Sequence, residues 1–132
     1  IDINEVINAA STKPYGFMEF RPSLGVGGLC IPIDPQYLQY WAEEAGENLD
    51  LIADSFSINQ LMPKYIASKA RNIANHKSSK VLILGVAYKS GSSDTRETPV
   101  KSLRHELEEF GFDCFWYDEL VEEWETILMK HN

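Results

Sequence analysis

The chain has 132 residues, of which 44% are apolar, and its formal net charge is −8 at pH 7. This length corresponds to about one typical domain, and the apolar fraction is sufficient for a packed core. The acidic excess, with no cluster of Lys or Arg, argues against a nucleic-acid surface. No run of about 18 apolar residues predicts a membrane span, and no signal peptide is visible. We therefore expect neither nucleic acid nor membrane among its partners.

The cysteine content and the first residue bear on cellular context. The only two cysteines, Cys30 and Cys114, lie in different kinds of sequence, so a disulfide framework is not expected. A reducing compartment, and hence a cytoplasmic location, is the better prediction. The chain opens at Ile1, inside a predicted helix, rather than at Met. We interpret it as an internal fragment of a longer protein.

The first part of the chain predicts helices separated by one long loop. Apolar residues recur at helical spacing in three segments, residues 3–10, 35–45 and 48–75. Pro63 is expected to kink the third helix or to begin a second segment. Residues 13–34 are rich in Gly and Pro with interleaved aromatic residues, which predicts a long structured loop. The wide apolar face of the third helix indicates a partner, such as a second copy of the chain.

The second part changes to an alternation of strands and helices. A continuous apolar run at residues 80–86 is typical of a buried parallel strand. Further along, the pattern predicts a helix at 99–110, a strand at 113–117 and a helix at 120–129. This order indicates the α/β class and the beginning of a doubly wound parallel sheet, which we expect to be truncated. The predicted division is a helical segment at 1–76 and an α/β segment at 77–132.

Cys30 is the main candidate for chemistry. It follows three closely spaced glycines, Gly25, Gly27 and Gly28. Such glycines let a substrate approach a thiolate closely. Asp34 and Pro35 have the pattern of an N-cap and first helical residue, which predicts that Cys30 precedes a helix N-terminus, where an anion is favoured. The alternative is that Cys30 is a buried apolar residue, the role predicted for Cys114 in its apolar-aromatic run.

The remaining candidates are cations and glycines. Lys89 and Arg96 follow the first predicted strand, where open α/β sheets bind ligands, so they suit a pyrophosphate or else a solvated loop. The three glycines do not keep dinucleotide-fingerprint spacing, and no predicted strand precedes them. The spacing of a P-loop is also missing, and the three histidines follow no metal-ligand pattern. No metal is expected.

Three blocks of sequence resemble the nucleotide-sugar dehydrogenases, the UDP-glucose and UDP-N-acetylhexosamine 6-dehydrogenase family. Residues 12–22 are similar to the approach to that family's nucleophilic cysteine in the N-acetylhexosamine branch. Residues 24–35 resemble the cysteine motif, and residues 84–99 resemble the start of the family's C-terminal UDP-binding domain. The blocks occur in the family's order and cover most of the chain.

The resemblance implies a fold, a reaction and partners. The fold would be a central helical dimerisation segment followed by part of a Rossmann-like UDP-binding domain. The enzyme would use NAD to oxidise C6 of a UDP-N-acetylhexosamine or UDP-hexose to the uronic acid, as in polysaccharide biosynthesis, and would act as a homodimer. The NAD-binding domain and the active-site lysine and asparagine would lie upstream of Ile1, so the fragment would be inactive alone.

The resemblance also implies roles for particular residues. Cys30 would form a thiohemiacetal and then a thioester with the sugar, and Asp34 would assist proton transfer unless it is simply an N-cap. Arg96 would lie near the cofactor. Contacts with the UDP-sugar are implied for Arg21, Gly25, Gly27, Gly28 and Lys89.

The chain departs from the family's pattern next to the cysteine. The N-acetylhexosamine branch usually has His where this chain has Leu29, and Gly-Pro-Gly where it has residues 23–25, Ser-Leu-Gly. These departures support an alternative, a non-catalytic UDP-sugar-binding or assembly module of the same fold. A thiol-redox protein built on Cys30 is a third reading, but no resolving cysteine lies nearby.

Overall fold

A computed structural model describes residues 1–74 and 80–124. Three helices come first: α1 (Ile3–Ser11), α2 (Cys30–Glu44) and α3 (Asp50–Ile73). They are followed by strand β1 (Lys80–Leu84), helix α4 (Val100–Glu109) and strand β2 (Asp113–Tyr117). None of the helices in the described ranges is long and apolar enough to cross a membrane. The predicted order of elements is confirmed through β2.

The two strands form a parallel pair joined by α4. Lys80 pairs with Asp113, and the register continues to Leu84 opposite Tyr117. Helix α4 packs on β2, α3 packs on α4, and α2 packs on α3. This β-α-β unit is the beginning of a parallel α/β sheet, as the sequence predicts.

One hydrophobic cluster joins the helical and α/β parts. Its central members are buried and come from α3, β1, α4 and the segments after β1, α4 and β2: Ala67, Ile83, Val86, Val100, Leu107, Phe112, Val121 and Trp124. Cys114 is half-buried and packs against this cluster, as predicted, and burial raises the pKa of its thiol. Because α3 contributes to the same core as the sheet, the two parts of the chain pack together.

Burial of the first strand differs from the prediction. Its apolar run predicts cover on both faces, but Leu82 and Leu84 are exposed, as are their partners Phe115 and Tyr117. Side chains alternate across a strand, and α4 covers only the face that carries Ile83. One face of this two-stranded sheet therefore lies open in the described structure.

The helices differ from the predictions at three places. Helix α2 begins at Cys30, five residues before the predicted start. Helix α3 continues through Pro63, so of the two alternatives predicted there, a kink or a second segment, the second segment does not form. Residues 120–124, where a last helix was expected to begin, are not helical. The rest of that predicted helix, residues 125–129, lies outside the described ranges, as does Asn75 at the predicted end of α3.

Asp118, directly after β2, fixes the turn that follows β1. Its Oδ2 accepts hydrogen bonds from the backbone N–H groups of Val86 (2.8 Å) and Ala87 (3.2 Å), and its Oδ1 accepts one from Leu120 (2.9 Å). These bonds, chiefly the one from Val86, hold the pKa of Asp118 below its ordinary value. The ionised carboxylate therefore closes the turn between strand and loop.

Truncation of the core is expected to destabilise the chain strongly. Leu107 is 2% exposed, so Leu107→Ala should lower the free energy of unfolding by about 2–5 kcal/mol in urea titration. Leu51, which is 81% exposed, gives the matched control, because Leu51→Ala should change it by only about 0.5 kcal/mol. Equal effects of the two substitutions would contradict the assignment of the core.

The role of Asp118 predicts a pH-dependent loss of stability. A carboxylate with a lowered pKa in the folded state stabilises above its unfolded pKa of about 3.9, and this contribution is lost as the pH falls through the folded pKa. Asp118→Asn should therefore be less stable than wild type near neutral pH, with a difference that shrinks below about pH 4. Urea titrations across this range measure it. Asp113→Asn, at the exposed start of the same strand, is the control, and a pH-independent difference for Asp118→Asn would contradict the assignment.

Candidate active site

Cys30 is the first residue of α2 and is exposed. The N-cap, Leu29, makes no side-chain capping bond. Pro32 falls in the first turn, where backbone N–H groups have no partner within the helix, so its missing N–H costs nothing there. The helix can therefore begin earlier than the Asp-Pro pattern predicts. The thiol is exposed at a helix N-terminus, and its burial as an apolar residue is excluded.

Asp34 is not the N-cap of this helix, which corrects the prediction. It lies inside α2, four residues after Cys30, and is exposed. Residues four apart on a helix share one face. The structure thus brings Asp34 and Cys30 to the same face of α2, and the competing capping role for Asp34 is removed.

The glycine loop, residues 24–28, passes very close to the loop between β1 and α4. A Cβ on Gly28 would lie 2.8 Å from Cε2 of Tyr88, and a Cβ on Gly27 would lie 2.7 Å from the carbonyl oxygen of Glu97. Gly28 also has a φ of +81°, which favours glycine. The sequence suggested that these glycines admit a sugar; the structure shows that they admit another part of the same chain.

Asn59, a residue that the sequence did not single out, holds the glycine loop from the other side. Its Oδ1 accepts a hydrogen bond from the backbone N–H of Val26 (2.9 Å), and its Nδ2 donates to the Val26 carbonyl (3.4 Å). A Cβ on Gly25 would lie 3.2 Å from the same Oδ1. No local pattern marks this asparagine, because the contact joins residues 33 apart in the chain.

Arg21 is bound to α1. Its Nη1 donates to Asn4 (3.0 Å), its Nη2 donates to Asn8 (2.7 Å), and its Nε donates to Glu19. Each nitrogen of the guanidinium is thus hydrogen-bonded within the chain. In this arrangement Arg21 binds the middle of the long loop between α1 and α2 to α1, a role that sequence reasoning did not assign to it.

Lys89 borders a cavity of about 600 Å³ at the carboxyl ends of the two strands. Its Nζ lies 5.5 Å from the centroid of the Tyr88 ring. The cavity is lined mainly by the loop after β1 and by residues after β2, including Gly85, Ser90, Ser92 and Asp118. This is the edge where parallel α/β sheets bind ligands. Lys89 therefore lies at the carboxyl edge of the sheet, beside this cavity.

Arg96 is held by a carboxylate two residues earlier. Its Nε and Nη2 donate to Asp94 Oδ2 at 3.0 and 2.6 Å, and its backbone N–H donates to Oδ1 at 2.9 Å. These bonds hold the pKa of Asp94 at about 2. The Arg96 side chain is still 68% exposed, so an anionic ligand can reach it.

The described residues offer few of the groups that bind a dinucleotide. A pyrophosphate is usually held by free backbone N–H groups in a glycine-rich turn after the first strand. Here the corresponding N–H groups, those of Val86 and Ala87, are bonded to Asp118. Within residues 1–74 and 80–124 the turn after β1 does not fit a dinucleotide, while the exposed Arg96 suits a single contact with one.

Comparison with known proteins agrees with this architecture. The chain is 35% identical over 118 residues to a UDP-N-acetyl-D-mannosamine dehydrogenase of Methanocaldococcus jannaschii, an alignment that covers 89% of this chain and 26% of the relative. It is 33% identical over 126 residues to a UDP-N-acetyl-D-glucosamine 6-dehydrogenase of Pseudomonas aeruginosa, covering 92% of this chain and 29% of that relative. The chain thus spans less than a third of either protein.

A solved structure and two family models complete the comparison. The structure of a UDP-D-ManNAc dehydrogenase from Pyrococcus horikoshii superposes with a TM-score of 0.76 at 31% identity, covering 92% of this chain and 29% of that one. Residues 1–61 match the central domain of the UDP-glucose/GDP-mannose dehydrogenase family, and residues 82–131 match the UDP-binding domain of the same family. With both domains matched in order, the chain belongs to the UDP-glucose/GDP-mannose dehydrogenase family.

Proposed function

We propose that this chain is the nucleophile-bearing part of an NAD-dependent UDP-sugar 6-dehydrogenase. The observation that carries the proposal is the exposed thiol of Cys30 at the N-terminus of α2. It follows the glycine loop, which packs against the loop that bears Lys89. The substrate would be a UDP-N-acetylhexosamine, or a UDP-hexose, oxidised at C6 to the uronic acid. The names of the relatives favour the N-acetylated sugars.

The chemistry proposed for Cys30 is covalent catalysis at the aldehyde stage. After the first oxidation turns the C6 alcohol into an aldehyde, the Cys30 thiolate adds to its carbonyl carbon and forms a thiohemiacetal. This carbon would lose hydride to NAD while the hydroxyl proton is lost, which would leave a thioester, and attack by water would release the carboxylate and regenerate the thiol. Asp34, on the same face of α2, is suited to accept a proton from that water.

NAD supplies the hydride acceptor when bound, one molecule for each of the two oxidations. Arg96 is the described residue that we propose to lie near it, because its guanidinium is largely exposed. The Arg96 side chain is oriented by Asp94, and its hydrogen bonds to this carboxylate hold the pKa of Asp94 at about 2. The pair thus presents an oriented cation rather than a mobile one.

We propose that the UDP moiety occupies the cavity beside Lys89. The Lys89 ammonium would neutralise the diphosphate, and Ser90 and Ser92 line the same cavity. Gly25, Gly27 and Gly28 would present backbone to the sugar from the face that is not packed on Tyr88. Arg21 would contribute through the loop that it fastens to α1, or directly after exchange of its present partners.

The proposed assembly is a homodimer with a division of the chain at residues 1–76 and 77–132. Large apolar side chains are exposed along α2 and α3, among them Trp41, Leu51 and Leu61. Exposed apolar faces of this kind favour a partner. The two free thiols, Cys30 and Cys114, are consistent with the reducing cytoplasm that we propose as the location.

A second function is favoured by Leu29. This residue precedes the nucleophile, is 53% exposed and provides no polar group to the thiol or to the helix N-terminus. A non-catalytic UDP-sugar-binding or assembly module would tolerate such a residue. The two functions differ in whether Cys30 is needed for oxidation.

The deciding measurement is NADH formed per sugar consumed, using the full-length protein that contains this chain and a panel of UDP-hexoses and UDP-N-acetylhexosamines. We expect two NADH per sugar, because an alcohol becomes a carboxylate. Cys30→Ala should abolish or stall the reaction, since the thioester can no longer form. Cys114→Ala is the matched control, because this second cysteine packs against the core, and it should retain the stoichiometry.

Two results would count against the dehydrogenase. UDP binding without NADH from any sugar would leave the binding module as the function. Two NADH per sugar in the Cys30→Ala variant would show that the double oxidation occurs but does not use this thiol.

A further inference from the structure

The aromatic ring of Tyr88 is the surface against which the glycine loop rests. A Cβ on Gly28 would approach three atoms of this ring at 2.8–3.2 Å, and a Cβ on Gly27 would lie 2.9 Å from the Tyr88 Cβ. Gly28 is buried, although its neighbours Leu29 and Cys30 are exposed. The contact with Tyr88 therefore precedes the candidate nucleophile by two residues.

The loop is also held on its opposite side. Asn59, on α3, bonds both backbone groups of Val26, at 2.9 and 3.4 Å. Two unrelated elements, α3 and the loop after β1, thus clamp a segment of five residues. A segment fixed at both Val26 and Gly28 leaves little freedom for the start of α2, and hence for the thiol of Cys30.

Tyr88 is itself linked to the cavity at the strand ends. It lines this cavity together with Lys89, whose Nζ is 5.5 Å from the centre of the ring. Its backbone N–H donates to the carbonyl of Asp94 (3.0 Å), which fixes the loop that carries the ring. One side chain thus contacts both the segment leading to Cys30 and the cation of the cavity.

We infer that Tyr88 is a positioning residue, whose ring sets the place of Cys30 through Gly27 and Gly28 and joins it to the cavity beside Lys89. The expected effect on catalysis rests on the proposed function, whereas the contact between Tyr88 and the glycine loop does not. The residue is half-buried and is not a member of the hydrophobic cluster that forms the core. Its truncation should therefore disturb the loop more than the fold.

The first test compares Tyr88→Ala with Tyr88→Phe in the full-length enzyme. Loss of the ring should lower kcat by about 10- to 100-fold, because misplacement of a reacting group by about 1 Å has an effect of this order. KM for the UDP-sugar should change much less, since Lys89 is retained. Tyr88→Phe keeps the ring and should keep kcat. An unchanged kcat in Tyr88→Ala would overturn the inference.

The second test measures loop order without catalysis. Amide hydrogen exchange across residues 24–30 should become at least about tenfold faster in Tyr88→Ala, while exchange in α4 stays the same. Tyr88→Phe should again resemble wild type. If Tyr88→Ala fails to fold, Tyr88→Leu keeps apolar volume without the flat ring and should show the same change. Unchanged exchange at 24–30 would overturn the inference, whether or not the enzyme is active.

The third test is a double variant. Gly28→Ala should lower kcat severely, because its Cβ would overlap the Tyr88 ring. Combining it with Tyr88→Ala removes the overlap, so the double variant should exceed Gly28→Ala in kcat by about tenfold, although the positive φ at residue 28 still disfavours alanine. If kcat of the double variant falls by the product of the two single-variant losses, the contact between Gly28 and Tyr88 is refuted.

Failure of the proposed function and failure of the inference give different results. A wild-type protein that forms no NADH contradicts the dehydrogenase, while hydrogen exchange still decides the role of Tyr88. A wild-type protein that forms NADH normally, with kcat and exchange unaffected by Tyr88→Ala, contradicts the inference alone.

Discussion

Close contact between the backbone of Gly27 and Gly28 and the side chain of Tyr88 is the constraint on which the candidate site depends. It brings the segment before Cys30 against the loop that carries Lys89, and no side chain larger than hydrogen fits between them. Asn59 can hold Val26 only while the loop stays in this position. The thiol and the cation are thus placed by one packed contact, supported on one side by α3 and on the other by the strand–helix loop.

Two carboxylates, those of Asp118 and Asp94, form hydrogen bonds with the backbone of the loop after β1. Asp118 accepts the N–H groups of Val86 and Ala87, and Asp94 accepts that of Arg96. Hydrogen bonds lower the pKa of both carboxylates, chiefly the bonds from the Arg96 side chain for Asp94 and the bond from the Val86 backbone for Asp118. The loop therefore satisfies these backbone donors internally, while its cationic side chains, Lys89 and Arg96, are exposed.

The same residues show where sequence reasoning succeeded and where it failed. The sequence predicts that Cys30 lies close to a helix start, and the structure confirms this position, whereas its catalytic role stays a prediction. The role of Asp34 as N-cap was wrong, because the Asp-Pro pattern describes a favourable helix start but does not exclude an earlier one. Asn59 and Tyr88 could not be identified, since each acts through a contact with backbone more than 30 residues away.

The sequence by itself determined what depends on local periodicity and turn chemistry: the first helices, the two strands, and the long loop that leads to Cys30. It also carried the family motifs, because these are short and ordered along the chain. Only the tertiary structure showed that Gly27 and Gly28 leave no room for a side chain, because other parts of the chain pack against them. It also showed where α2 begins and that Asp118 closes the turn after β1. These features arise from packing and hydrogen bonds between distant segments, and no local pattern records them.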